Sequence, residues 1–71
     1  MADEARDRLR TLIVTGDNRL KQGGAKQAGR ARQSFEAALA YAEQHGLADE
    51  RLRGLIGRRI DDARAIEDAV P

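Results

Sequence analysis

The sequence predicts an all-α protein, three antiparallel helices packed as a bundle, and three observations point there. Apolar residues recur at three- and four-residue steps in three stretches, which is the spacing of one helix face. Glycines punctuate the chain between those stretches, at Gly23-Gly24 and Gly46. Nowhere do apolar and polar residues alternate convincingly, and β-branched residues are sparse, so strands are not expected. The 71 residues form a single helical domain, with helices expected over about 3–22, 25–45 and 49–69.

In the first helix Ala5, Leu9, Leu12, Ile13, Gly16 and Leu20 share a face. Asp3 is expected as the N-cap, and Glu4 and Asp7 lie near the positive end of the helix dipole. Lys21 falls in the last turn, and Gly23-Gly24 ends the helix because glycine takes the left-handed cap conformation without a Cβ penalty. The second helix carries Ala28, Ala31, Phe35, Ala38 and Ala42 on one face, widened by Leu39. Gly29 weakens its first turn by about 1 kcal/mol relative to alanine, which moves the expected start toward Arg30. Gly46 caps its end, beside His45. In the third helix Asp49 is the N-cap and Leu47 the hydrophobic staple. Its buried face is expected to hold Leu52, Leu55, Ile56, Ile60, Ala63, Ile66 and Val70. Gly54 and Gly57 inside it each cost about 1 kcal/mol, and a close helix crossing would account for both.

Sixteen large apolar side chains, only one of them Phe and one Tyr, make a thin core for a lone chain. A domain this short is marginal, so burial against a second copy, most simply as a homodimer, is expected. The apolar surface for that self-association is expected at Leu55, Ile56 and Ile60. Without cysteine the chain has neither a disulfide nor a thiolate metal site, and no apolar run approaches the ~20 residues of a bilayer span. A cytoplasmic protein is the default expectation, and eleven Arg against two Lys suit a GC-rich bacterial genome. The net charge of +1 divides unevenly, with +4 over residues 1–33 and −3 over residues 34–71. Such a division orients association.

Little in the chain suits catalysis. A reaction needs a nucleophile, an acid–base pair or a metal on rigid supports. His45 stands alone beside a helix C-terminus, where a dipole-stabilised histidine is ordinary. Ser34 and Tyr41 have no activating partner. Glu43 and His45 are two apart and diverge on a helix, unlike the Glu-x-x-His of di-iron bundles. Asp61-Asp62 and Glu67-Asp68 lack the glycine-containing loop of a calcium site. Gly23-Gly24-Ala25-Lys26 has neither the spacing nor the Ser/Thr of a phosphate loop. The expectation is a protein that is not an enzyme and holds no cofactor or metal.

An internal repeat adds to this. Asp7-Arg8-Leu9-Arg10-Thr11-Leu12-Ile13 returns 43 residues later as Glu50-Arg51-Leu52-Arg53-Gly54-Leu55-Ile56. Two equivalent helices separated by a third is the layout of tandem helical hairpins. Over residues 9–58 the chain resembles the tetratricopeptide repeat (TPR). Gly16 to Gly23, with glycines seven apart, is similar to the end of that family's first helix. Ala31 to Leu39 is similar to its second, in the pattern A-x-x-x-F-x-x-A, and Gly57 after Leu55-Ile56 is similar to the first-helix glycine of a following unit. Leu12 and Arg19 replace the family's aromatic residues, the proline after the second helix is missing, and the turn between helices is about three residues longer. The glycine match and the seven-residue match differ by two in register.

The resemblance implies one repeat plus a capping helix, a small protein–protein interaction module whose first helices line a concave face. Carried over by position, that face would present Arg10, Ile13, Asp17, Leu20 and Lys21, then Arg51, Arg58 and Asp62. Such a mixed-charge surface suits an extended or helical peptide. The alternative is a small regulator that binds nucleic acid. Arg19, Lys21, Lys26, Arg30 and Arg32 form a tract without an acidic residue around a helix N-terminus, fit to meet phosphates. The near-zero net charge and the lack of stacking aromatics argue against it. Far-UV circular dichroism is expected to show a predominantly helical protein; a substantial β signal would overturn the whole reading.

Overall fold

The computed structural model describes residues 2–69 as three helices, α1 (Ala2–Gln22), α2 (Ala25–Gln44) and α3 (Glu50–Asp68). Val70, expected on the buried face of the third helix, lies outside the described residues. α2 packs against both α1 and α3, whereas α1 and α3 approach each other only at isolated points. Ion pairs fix the direction of α3: Arg32 meets Glu67 at 2.8 Å and Glu43 meets Arg53 at 2.9 Å, so α3 runs antiparallel to α2. α1 is antiparallel to α2 as well, and the two outer helices therefore run parallel. The molecule is a thin slab of 44 × 20 × 14 Å with α2 in the middle.

The core is the alanine face of α2 with one aromatic ring in it. Ala28, Ala31, Phe35, Ala38 and Ala42 are all buried, the five positions that the sequence periodicity selects. Small side chains let both neighbours come close, and Phe35 fills the space they leave. From α1 it meets Gly16: a Cβ built on Gly16 would lie 2.5 Å from the Phe35 ring. From α3 comes Ile56, wholly buried like Phe35. Leu9 and Ala63 complete the buried set, with Leu12, Ile13, Leu20, Leu39, Leu52 and Ile60 packed half-buried around the cluster.

Both turns follow from glycine. Gly23 and Gly24 have φ of 80° and 86°, left-handed values that other residues reach only with strain. After α2, Gly46 at φ 69° forms a Schellman cap. Its N–H donates to the Glu43 carbonyl at 3.3 Å, and the Leu47 N–H donates to Ala42 at 2.8 Å. That motif throws Leu47 back onto the core, as the staple expectation required. Asp49 then caps α3, its carboxylate accepting from the Leu52 N–H at 2.8 Å.

Four expectations need correction. Asp3 sits inside the first turn of α1 rather than capping it. α2 begins at Ala25, the start of its expected span, and not nearer Arg30 as Gly29 suggested. There the Glu67 carboxylate lies over the bare glycine backbone, 2.9 Å from where a Cβ would be, while it holds Arg32. Tertiary contact thus outweighs the low helix propensity of Gly29. Leu55 and Ile66 are not core: they are 45% and 39% exposed, because no helix among the described residues covers that side of α3. Gly54 and Gly57 mark no helix crossing either, since a Cβ at each would meet nothing within 4 Å.

Three glycines therefore answer one substitution differently. Gly16→Ala forces the buried Phe35 ring aside and is expected to destabilise the fold by about 1–3 kcal/mol. Gly54→Ala and Gly57→Ala gain helix propensity in open space and are each expected to stabilise it by about 0.5–1 kcal/mol. Phe35→Ala, which empties the space between all three helices, is expected to cost about 3–5 kcal/mol. Urea titrations of the four variants measure this series. Gly16→Ala as stable as wild type would remove Phe35 from its assigned contact.

Candidate functional site: the groove between the outer helices

Because α2 holds α1 and α3 apart, a groove of 540 Å³ opens between the outer helices. Its apolar lining comes from Leu9, Ile13 and Val14 of α1, Leu52 and Leu55 of α3, and Leu47 from the capping turn. The depth varies in a useful way. Leu9 is 7% exposed and belongs to the core, whereas Val14 at 48% and Leu55 at 45% stand on the lips. Three arginines rim the groove, Arg6, Arg10 and Arg51, and all are exposed. None of the three takes part in an ion pair among the described residues. The one carboxylate in the lining, Asp49, is already engaged with the Leu52 N–H.

Among the described residues one ion pair ties α1 to α3. Arg59 donates to Asp17 at 2.9 Å, with both side chains about one-third exposed (32% and 34%). The contact lies one helical turn beyond Val14 and Leu55 in sequence and braces the two outer helices against each other.

The residues selected from the sequence divide accordingly. Arg10 and Arg51 stand at the rim, and Ile13 is part of the floor while also packing on the core. Asp17 is held by Arg59, and Leu20 packs half-buried against the core. Lys21, Arg58 and Asp62 are exposed but do not line the groove. The self-association set is corrected at Ile56. That residue is wholly buried under α2, Ile60 is half-buried beside Leu39, and Leu55 is exposed. Sequence reasoning missed Arg6, Val14, Leu47 and Arg59 as site residues. Arg6, Arg10 and Val14, four apart on the shoulder of the Leu9–Ile13 stripe, carried the signal. An apolar residue flanking a core stripe marks a lip.

The basic tract loses a member. Lys21, Lys26 and Arg30 are exposed around the α1–α2 turn and Arg19 is half-buried, but Arg32 turns toward α3. It binds Glu67 and, one turn on, Glu36. The hydrogen bond that Arg32 donates to Glu67, followed by the charge of that carboxylate, raises the Arg32 pKa above the ordinary arginine value. Since arginine is already fully protonated at neutral pH, this shift makes no pH switch there. His45 lies at the α2 C-terminus with its ring 4.2 Å from that of Tyr41. Among the described residues no three His, Cys, Asp or Glu side chains gather as metal ligands. No helix there is long and apolar enough to cross a membrane.

A double-mutant cycle on Asp17→Ala and Arg59→Ala is expected to give a coupling of about 0.5–1 kcal/mol that shrinks with added salt, as a half-exposed pair should. No coupling at low salt would mean that the pair does not brace the outer helices.

Compared with protein-family models, with curated proteins and with solved structures, the chain matches none, and the functional reading rests on its own geometry.

Proposed function

We propose that this chain is a non-catalytic protein-interaction module, built like a tetratricopeptide-repeat hairpin with a capping helix, and that the groove between α1 and α3 receives a segment of a partner protein. The observation that carries the reading is the groove itself, an apolar floor open to solvent and rimmed by three arginines that have no ion-pair partner among the described residues. A floor of Leu, Ile and Val side chains gains by covering, and the rim supplies orientation. Two further features support the repeat-like reading. Asp17 and Arg59 pair across parallel helices at a separation of 42 residues, close to the 43-residue offset of the sequence repeat. Gly16 gives α1 and α2 the close approach that the family's glycine implies.

The second reading, nucleic-acid binding at the α1–α2 turn, has one observation in its favour. α2 has Gly24 as its N-cap, with no side-chain cap and no acidic residue in its first turn, which leaves N–H groups available beside Lys26 and Arg30. Arg32 is committed to Glu67, and the tract is correspondingly weaker.

Selection of peptides from a displayed library, followed by amide chemical-shift mapping with the enriched sequence, tests the proposal. The expected outcome is an enriched motif with one or two large apolar side chains, and shifts confined to residues of the groove. Val14→Glu, on the α1 lip, is expected to weaken that peptide at least about tenfold without unfolding the protein. Absence of any enriched motif, or shifts gathered at Lys26 and Arg30 instead, would overturn the groove reading. Binding of an oligonucleotide at that turn, with affinity falling steeply in salt, would establish the second.

A further inference from the structure

The outer face of α3 carries a pattern that the core does not explain and that the groove takes in only at Arg51. Arg51, Gly54, Arg58, Asp61, Ala65 and Asp68 follow one another at steps of three and four, so they form a single stripe along the helix. All six are exposed. None of the four charged members has an ion-pair partner among the described residues. Gly54 has open space where its Cβ would be, so the middle of each half of the stripe is low. The two exposed large apolar residues of α3, Leu55 and Ile66, run along one edge of the stripe.

The order of residue types matters more than the exposure. Read forward, the stripe is basic, small, basic, acidic, small, acidic. Read backward, it is acidic, small, acidic, basic, small, basic. A sequence of that form is complementary to itself when two copies run antiparallel. With a two-fold axis between Arg59 and Ile60, Arg51 faces Asp68 of the second copy, Gly54 faces Ala65, and Arg58 faces Asp61 with Asp62 beside it. Each contact then occurs twice, as an isologous interface requires. The small pair lets the helix backbones approach closely, and Leu55 and Ile66 of both copies flank the seam on one side.

We propose that a second copy of this chain docks on this face, α3 against α3 in antiparallel register, to form a two-fold dimer. The occupant follows from charge complementarity. A parallel arrangement, or a slip of one helical turn past the axis, sets Arg against Arg or Asp against Asp at the centre, and like charges so placed repel. Such a slip also removes the small residues from each other. The proposal does not rest on the groove reading: Arg6, Arg10 and Val14 lie on α1, away from the seam, and only Arg51 and Leu55 border both surfaces. One helix–helix seam is small beside the roughly 1,200 Å² of ordinary stable interfaces, so the dimer forms in the range of roughly 10–500 µM.

Sedimentation equilibrium from about 10 µM to 1 mM, on the full chain, reads the result. The expected outcome is a monomer–dimer equilibrium with no larger species, since an isologous seam closes on itself. Arg58→Asp alone and Asp61→Arg/Asp62→Arg alone are each expected to be monomeric, because each sets like charges across the axis. Mixed in equal amounts, these two variants restore opposite charges at every position and are expected to form a heterodimer. Gly54→Gln separates the seam from folding: it stabilises the isolated helix, raising the melting temperature at low concentration, yet weakens the dimer at least about tenfold. Circular dichroism of each variant confirms that the monomer is folded. A wild type monomeric to 1 mM, a dimer indifferent to Arg58→Asp, growth beyond the dimer, or failure of the mixture to associate would each overturn the proposal. Groove binding by monomeric Arg58→Asp remains measurable in all of these cases, so the two readings fail separately.

Discussion

The packing of Phe35 onto Gly16 is the constraint on which the rest of the structure depends. α2 offers its neighbours almost nothing but alanine, and four alanines bury too little surface to hold two helices in place. The single ring supplies the missing volume, and it fits only because α1 presents bare backbone opposite it. Ile56 closes the same space from the α3 side. One residue from each helix thus fixes where the two outer helices stand relative to α2. The separation of α1 from α3 follows, and with it the width of the groove.

Electrostatic contacts refine that arrangement and do not create it. The pairs that join α3 to the other helices are Arg32–Glu67, Glu43–Arg53 and Asp17–Arg59, and all remain partly exposed. Pairs in such settings contribute little to stability. Their value is in register: a one-turn slip of α3 along α2 would break Arg32–Glu67 and Glu43–Arg53 together. Glu67 also lies over Gly29, where its carboxylate occupies the space that a side chain would take.

Much of the fold was legible in the sequence for a physical reason. Helix periodicity, glycine caps and the Asp49 cap are local features, determined by residues within a turn or two of one another. All five buried positions of α2 could be selected because a helix packed on two sides shows a broad, regular stripe. α3 was less legible. Leu55 and Ile66 fit its apolar period as well as Ile56 does, and periodicity cannot tell whether a neighbouring helix exists to cover them. The groove was half legible for the same reason. Arg10 and Arg51 could be carried over by position, but Leu47 reaches the floor through a Schellman turn, and Arg59 is defined by a partner 42 residues away. Gly54 and Gly57 show the limit from the other side, since glycine in a helix signals missing volume without saying whether anything fills it.

The central position of α2 has a consequence for how the chain reaches this structure. Each outer helix packs mainly on α2, its immediate neighbour in sequence, and contacts between α1 and α3 are confined to isolated points. Native contacts are therefore mostly short in sequence separation, and chains of this kind fold in microseconds to milliseconds. Two routes lead to the same end, because α2 can close first with α1 or first with α3, and each hairpin needs only its own turn. Neither route can bypass α2. Changes on its alanine face should slow folding itself, whereas changes at the Asp17–Arg59 contact, which forms only when both hairpins are in place, should act chiefly on the rate of unfolding.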